Sequence, residues 1–288
     1  MRERSSRFFT DWQAHVAWRA AVLAVAVAVM PAAGVSPVAA QQDDEDWIAD
    51  CRDRSDRDDR VTFCDVRVER INPRGTIRVD AGTNGGVIVR GSNRRDVEIH
   101  ARIQATARSA SDARSLADDI MIDARSTTIR ADGPDTNNRA WWSVTFVVYV
   151  PNASDLDLVA HNGPVSISDV EGRIEANTQN GPLSLREVAG DITARTQNGP
   201  LTIELSGSTW RGRGLDAETQ NGPVRLSIPE NYSARLQTGT VNGPFTTDVP
   251  LMVTSLNRRS QRIDTTLGQG GPIIRAVTTN GPVSIAHR

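Results

Sequence analysis

Lysine is missing from this sequence altogether, so all 33 of its basic residues are arginine; we read that as codon bias rather than mechanism. The arginines are nearly balanced by 35 acids, for a formal net charge of −2 over 288 residues. No strong charge of either sign advertises nucleic acid or an anionic membrane as partner. Aromatic residues make up only 5% while Gly is plentiful at 22. That balance suits many short strands joined by tight turns better than a helical globule. Cys51 and Cys64 are the only cysteines. No histidine stands near them to complete a tetrahedral metal set, which leaves a disulfide in an oxidising compartment as the preferred reading.

Long apolar runs are lacking as well. The longest, Ala20 to Met30, is too short to span a bilayer comfortably. It follows Arg2, Arg4, Arg7 and Arg19 and leads to small residues ending in Val38-Ala39-Ala40 before Gln41, the layout of an export signal. Residues 1–40 are therefore expected to be a signal peptide, with a retained membrane anchor as the alternative. No paired arginine marks a twin-arginine route, and no cysteine follows the cleavage point to carry a lipid. Removing residues 1–40 leaves 29 arginines against 33 acids. Residues 41–60 hold nine of those acids against four arginines, and read as a solvated acidic lead-in pinned by the Cys51–Cys64 disulfide.

From Val61 the pattern turns to strand-like alternation, with short runs at Thr76–Val79, Val87–Val89, Val97–Ile99, Thr127–Arg130 and Trp142–Val150 separated by turn residues. In the last run Trp142, Val144, Phe146, Val148 and Val150 share one face. Trp141 and Tyr149 fall on the other, so either both faces are covered or aromatic surface is exposed. One amphipathic helix interrupts. Ala113, Leu116, Ala117, Ile120 and Met121 follow helical spacing, and Ser109 with Asp112 offers a start, predicting a helix near 111–122.

The dominant feature is a repeat. Asn162-Gly163-Pro164, Asn180-Gly181-Pro182 and Asn198-Gly199-Pro200 recur every 18 residues. The signature returns more loosely at Asn221-Gly222, Asn242-Gly243 and Asn280-Gly281, and Asn84-Gly85-Gly86 resembles a divergent first copy. Six residues before each Asn stand Leu156, Ile174, Ile192, Leu215, Leu236 and Ile274; three residues after it stand Val165, Leu183, Leu201, Val224, Phe245 and Val283. Apolar columns spaced by two, with polar residues between them, describe strands with one buried face. Like residues recurring at every second strand predict an all-β, single-stranded β-solenoid of stacked two-strand coils with an ~18-residue period. In that reading Asn-Gly makes the turn through positive φ, and the asparagines stack as a side-chain amide ladder.

Two insertions break the period. Ser206 to Gly214 carries Trp210, Arg211 and Arg213 and is the candidate protruding ligand-contact loop; Asp248 to Gly268 carries Arg258, Arg259 and Arg262, and a tolerated surface insertion is the base expectation for both. Across neighbouring coils, Arg186 is expected to meet Glu204, and Arg195 to meet Glu218.

The repeated Asn-Gly-Pro turns, the Leu226-Ser-Ile-Pro229 strand end, and the closing Leu267-Gly-Gln-Gly-Gly-Pro272 with Thr279-Asn-Gly-Pro282 resemble the bacterial putative-adhesin domain family. The resemblance covers residues 61–288. It implies an exported, envelope-associated β-solenoid and supplies no catalytic residues.

An enzymatic reading finds little support. The outward columns do not stack carboxylates as an acidic-polysaccharide-cleaving β-helix would require. There is no nucleophile elbow and no phosphate-cradling glycine loop. No cofactor, metal or nucleic acid is expected. The expected role is an exported, non-catalytic structural, adhesive or binding module, in the periplasm, at the cell surface or secreted, with a cell-surface glycan or an envelope protein as partner. A polysaccharide-acting enzyme and a membrane-anchored sensory ectodomain are the alternatives.

Overall fold

The computed structural model describes residues 37–54, 60–72, 74–125, 127–135, 140–249, 255–257 and 261–288. The proposed signal segment up to residue 36, and Arg258 and Arg259 of the second insertion, lie outside the described residues. The described residues begin with α1 (Pro37–Arg54), β1 (Val61–Ile71), β2 (Ile77–Asp80), β3 (Val87–Ser92), β4 (Val97–Ala107), α2 (Ala110–Asp118), β5 (Met121–Asp123), β6 (Thr128–Asp132) and β7 (Trp141–Pro151). Two-strand units follow: β8 (Leu156–Ala160) with β9 (Val165–Ser168), β10 (Glu171–Asn180) with β11 (Leu183–Arg186), β12 (Ala189–Asn198) with β13 (Leu201–Glu204), and β14 (Gly214–Asn221) with β15 (Val224–Ile228). The chain ends with β16 (Ala234–Asn242), β17 (Phe245–Thr247), β18 (Ser255–Asn257), β19 (Gln261–Leu267), β20 (Ile273–Asn280) and β21 (Val283–His287).

Among the described residues these strands form two large, mainly parallel sheets. Sheet A runs β1-β4-β7-β3-β9-β11-β13-β15-β21-β17, and sheet B runs β18-β19-β16-β20-β14-β12-β10-β8-β2-β6-β5. The first strand of each repeat unit lies in sheet B and the second in sheet A, so the polypeptide alternates between the sheets around one core. Registers follow the sequence columns. Leu156 pairs with Ile174, Ile174 with Ile192 and Ile192 with Leu215. On the other sheet Val165, Leu183, Leu201 and Val224 pair in succession. These side chains are almost wholly buried and share one hydrophobic cluster. Period-two alternation turns them all inward, and each buried Leu or Ile contributes roughly 1.5–3 kcal/mol.

Spatial order departs from chain order at both ends. Strand β20 lies between β14 and β16, and β21 lies between β15 and β17. The last unit therefore fills a slot left by two earlier ones. At the other end β2 separates β6 from β8, and β3 separates β7 from β9. Antiparallel strands finish the stack, with β4 on β7, β1 on β4, β5 on β6 and β19 on β16. A purely sequential pile of parallel turns is thus corrected. The outermost strands β5, β17 and β18 have three residues each, which limits the open edge available to another chain there, whereas β1 presents eleven.

The Asn-Gly-Pro corner has a different cause from the one its composition suggests. Gly163, Gly181, Gly199, Gly222 and Gly243 are not among the residues of positive φ. A Cβ on any of these glycines, or on Gly281, would lie 2.0–2.2 Å from the carbonyl oxygen of the corner glycine in the adjacent unit. Glycine is required here because stacked backbones approach too closely for a side chain. The asparagines form the expected ladder. The Asn162 amide donates to Asn84 at 3.2 Å. Asn180 donates to Asn162, Asn198 to Asn180, Asn221 to Asn198, Asn280 to Asn221 and Asn242 to Asn280, each at 2.8 Å. Behind them Thr178, Thr196, Thr219 and Thr278 each donate a hydroxyl to a glycine carbonyl one unit away at 2.9 Å. Thr240 holds the same column position, yet its hydroxyl is buried without a partner.

Two expectations need correction. The predicted helix 111–122 ends at Asp118, and Met121 and Ile122 belong to β5, where Met121 is 65% exposed. The Arg67 guanidinium, from β1, donates to the carbonyls of Ala117 and Ile120. It thereby satisfies acceptors that another helical turn would have used. The start was legible, since Ser109 caps Asp112 N at 3.1 Å. The acidic stretch 41–60 is helical up to Arg54, in α1: Glu45, Asp46, Asp50 and Asp53 are exposed, while Asp44 and Cys51 are buried against the sheet. The Cys51–Cys64 disulfide joins the end of this helix to β1.

Two stability comparisons follow from the corner. Gly181→Ala is expected to cost about 3 kcal/mol or more, as severe overpacking does. Asn180→Ala, which breaks exposed amide bonds, is expected to cost about 1 kcal/mol. Chemical denaturation giving the reverse ranking would show that the amides, not the close approach, hold the corner. Thr196→Val should also cost about 1 kcal/mol, whereas Thr240→Val should be neutral or stabilising because it removes an unpaired buried hydroxyl. Equal losses in the two valine variants would count against that assignment.

Candidate functional site

The outward face of sheet B carries a trough of about 630 Å³ at the C-terminal ends of β10, β12 and β14. Alternation creates it. Thr178, Thr196 and Thr219 point inward, leaving Asn177, Arg195 and Glu218 on one flank and Gln179, Gln197 and Gln220 on the other. His161 continues the glutamine column at one end and Thr279 at the other. Neighbouring members come from hydrogen-bonded strands, so they repeat at roughly 4.8 Å.

The formal charges of the trough are internally paired. Arg195 meets Asp216 at 3.3 Å, and Glu218 meets Arg275 at 3.1 Å. The anticipated Arg195–Glu218 pair is thus redistributed, because Arg275 sits on the unit inserted beside β14. The anticipated Arg186–Glu204 pair forms at 3.1 Å. The glutamines differ from the asparagines beside them. All three are exposed, and their amides make no hydrogen bond to other described residues. Each offers two donors and an acceptor to solvent. Such a surface can hydrogen-bond hydroxyls and amides of a neutral ligand. Among the described residues no group of three or more His, Cys, Asp or Glu side chains is arranged to hold a metal ion.

The insertion that carries Trp210 is placed differently from its expectation as a projecting contact loop. Trp210 is 5% exposed, belongs to the main hydrophobic core, and donates its indole N–H to the Gly190 carbonyl at 3.0 Å. Gly212, at φ +117°, stacks against Gly190, whose carbonyl oxygen would lie 2.3 Å from an added Cβ. Arg211 and Arg213 remain exposed and pair with Glu171 and Asp191. The insertion therefore folds onto the corner opposite the asparagines, and its tryptophan fills the interior. A buried aromatic with its N–H satisfied follows the usual preference of tryptophan, which insertion length alone does not reveal.

A second cluster lies on sheet A under α1. Strand β4 is buried on both faces, with Ile99, Ala101 and Ile103 in the core and Glu98, His100 and Arg102 on the outer face. The His100 imidazole lies between the Asp44 and Glu98 carboxylates, with Nε2 2.8 Å from Glu98. Arg102 donates to Asp44 at 2.9 Å and to Asp43 at 2.9 Å, and Arg90 reaches Asp43 at 3.0 Å. Glu98 also accepts from Arg70 and Arg94. Burial works to lower the His100 pKa, but hydrogen bonds to Asp44 and Glu98 and their negative charges outweigh it and raise the value. Burial likewise works to raise Glu98, yet its bonds to His100, Arg94 and Arg70 pull it down to about 2. Tyr149, left open between coverage and exposure by its place in β7, is 1% exposed, packed with Ala40 and Val147. Neither the trough's glutamines nor this cluster was among the predicted contact residues. The period marks the glutamine column, one position before each Asn; nothing local marks the pairing of Asp44 with His100, 56 residues away.

No family model matches the chain, and no match was found among curated proteins. Solved structures are similar to it at low identity. A putative cell adhesion protein from Clostridium sporogenes ATCC 15579 aligns at 8% identity and a TM-score of 0.47, covering 78% of this chain and 100% of that one. A putative adhesin from Bacteroides fragilis NCTC 9343 aligns at 11% identity and a TM-score of 0.33, over 78% of this chain and 97% of that one. A putative lipid binding protein from Parabacteroides distasonis ATCC 8503 aligns at 9% identity and a TM-score of 0.26, again over 78% and 97%. Several of the neighbouring structures are described as putative adhesins or as a putative cell adhesion protein.

Proposed function

We propose that this protein is an exported, non-catalytic binding module of the bacterial cell envelope, built as a β-solenoid, whose contact surface is the trough on sheet B. The reading rests on one observation above all. A row of glutamine amides stands exposed and unengaged at strand spacing, beside an asparagine row whose amides are fully occupied by one another. A neutral, polyhydroxylated chain such as a cell-surface glycan suits it, because a row of neutral donors and acceptors flanked by mutually paired charges offers hydrogen bonds without calling for a counter-ion. The Cys51–Cys64 disulfide supports an oxidising compartment, in keeping with the signal-like residues 1–40. Residues 61–288 form the binding domain in this proposal. The alternation of the chain between two parallel sheets in constant register supports the solenoid.

A glycan array of neutral and acidic oligosaccharides tests the proposal. Neutral members are expected to bind. The triple variant Gln179→Ala, Gln197→Ala, Gln220→Ala should lose at least about tenfold in affinity with its thermal midpoint unchanged, since each amide contact is worth roughly 0.5–1.5 kcal/mol. Binding that survives the triple substitution would move the site elsewhere, and preference for acidic members would overturn the ligand class.

A further inference from the structure

We propose that α1 is a pH-released strap: with His100 charged, it closes over sheet A between Asp44 and Glu98, and with His100 neutral its N-terminal part lets go. The geometry makes the two ends of α1 unequal. Its C-terminal end is fixed covalently to β1 through Cys51. Nearer its N-terminus α1 offers the half-buried Asp43 and the buried Asp44, with Ala40 added only where residues 1–40 stay attached, so that part of the attachment is largely ionic.

The groups facing His100 come from each neighbouring element. Asp44 comes from α1, Glu98 and Arg102 from β4, and the Tyr149 ring, 5.2 Å away, from β7. Around them stand Asp43 of α1, Arg90 of β3, Arg70 of β1 and Arg94 of the β3–β4 connection. An imidazolium can donate to both carboxylates at once. Neutral imidazole has one N–H, so one carboxylate must then face a ring lone pair. Glu98 shares a strand with His100 and is also held by Arg70 and Arg94. Asp44 belongs to the element free to move, so the loss falls there.

The direction follows from linkage. His100 is raised while α1 is docked and loses the share that Asp44 supplies when α1 leaves, Glu98 staying beside it on β4. Docking is therefore fully supported below the released value and weakens as pH rises through the docked value. The carboxylates stay ionised throughout that window, because Asp44 and Glu98 are both lowered. Between the released and docked values the opening equilibrium rises by up to about tenfold per pH unit. Release uncovers Val147 and Tyr149 and frees Arg90 and Arg102, while the disulfide keeps the helix tethered.

Hydrogen exchange of the full-length, disulfide-intact protein between pH 6 and 9.5 tests this. After division by the intrinsic rate at each pH, amides of residues 40–50 should lose protection with rising pH, while those of β10, β12 and β14 stay constant. His100→Gln, which can hydrogen-bond but not titrate, should flatten the α1 response. A pH-independent α1 in the wild type, or an unchanged response in His100→Gln, would falsify the strap. If the variant does not fold, NMR titration of the wild-type imidazole decides: an apparent pKa at or below the ordinary histidine value overturns the proposal, and a raised one that tracks α1 protection supports it.

Discussion

Everything in the stack depends on how closely one glycine corner sits on the next. Backbone oxygen occupies the place where each following residue would carry its Cβ, so the spacing of the units is set at the corner before any side chain packs. Once that distance is fixed, the asparagine amides fall within hydrogen-bonding reach of one another, the threonine hydroxyls reach the glycine carbonyls, and the apolar columns close inside. The described amides all donate in the same sense, from Asn242 through Asn280 to Asn84. The ladder thus has a polarity, and its two ends differ chemically: one finishes on an amide N–H₂ and the other on an amide oxygen.

The periodic part of the molecule was legible because its physics is local and repeated. Each inward column appears in the sequence at fixed offsets from an Asn, and each was found paired in register. What could not be read was whatever depends on one long-range meeting. Spatial order is an example: Ile274 and Leu236 carry the same column signature, and nothing in either says which lies next to Leu215. Trp210 is another. In an arginine- and glycine-rich insertion it resembles a surface aromatic, and only the proximity of the Gly190 carbonyl makes the interior available to it.

The acidic segment failed for an instructive reason. Helices are recognised by an apolar stripe, and in α1 the buried residues are Ala40, Asp44 and Cys51 with Asp43, Trp47 and Ile48 half-buried beside them, so that the side facing the sheet includes two carboxylates. Its complement is equally disguised, since Glu98, His100 and Arg102 look like the solvent face of an ordinary alternating strand. Each half reads as exposed, and burial becomes affordable only when the two are brought together with their charges matched. The glutamine trough is the converse case, a column one position before each Asn that is exposed and makes no hydrogen bond to other described residues.

The slot between β14–β15 and β16–β17 is occupied by strands from further along the chain. Until Ile273–His287 arrives, both neighbouring units have one unpaired parallel edge facing the gap, and the asparagine row is interrupted between Asn221 and Asn242. A chain cut short before β20 would therefore lose more than a terminal layer. It would be left with two sticky interior edges, the kind of surface that proteases and aggregation both find. The strands β20 and β21 thus hold together two units on either side of them, and their loss is felt inside the stack rather than at its surface.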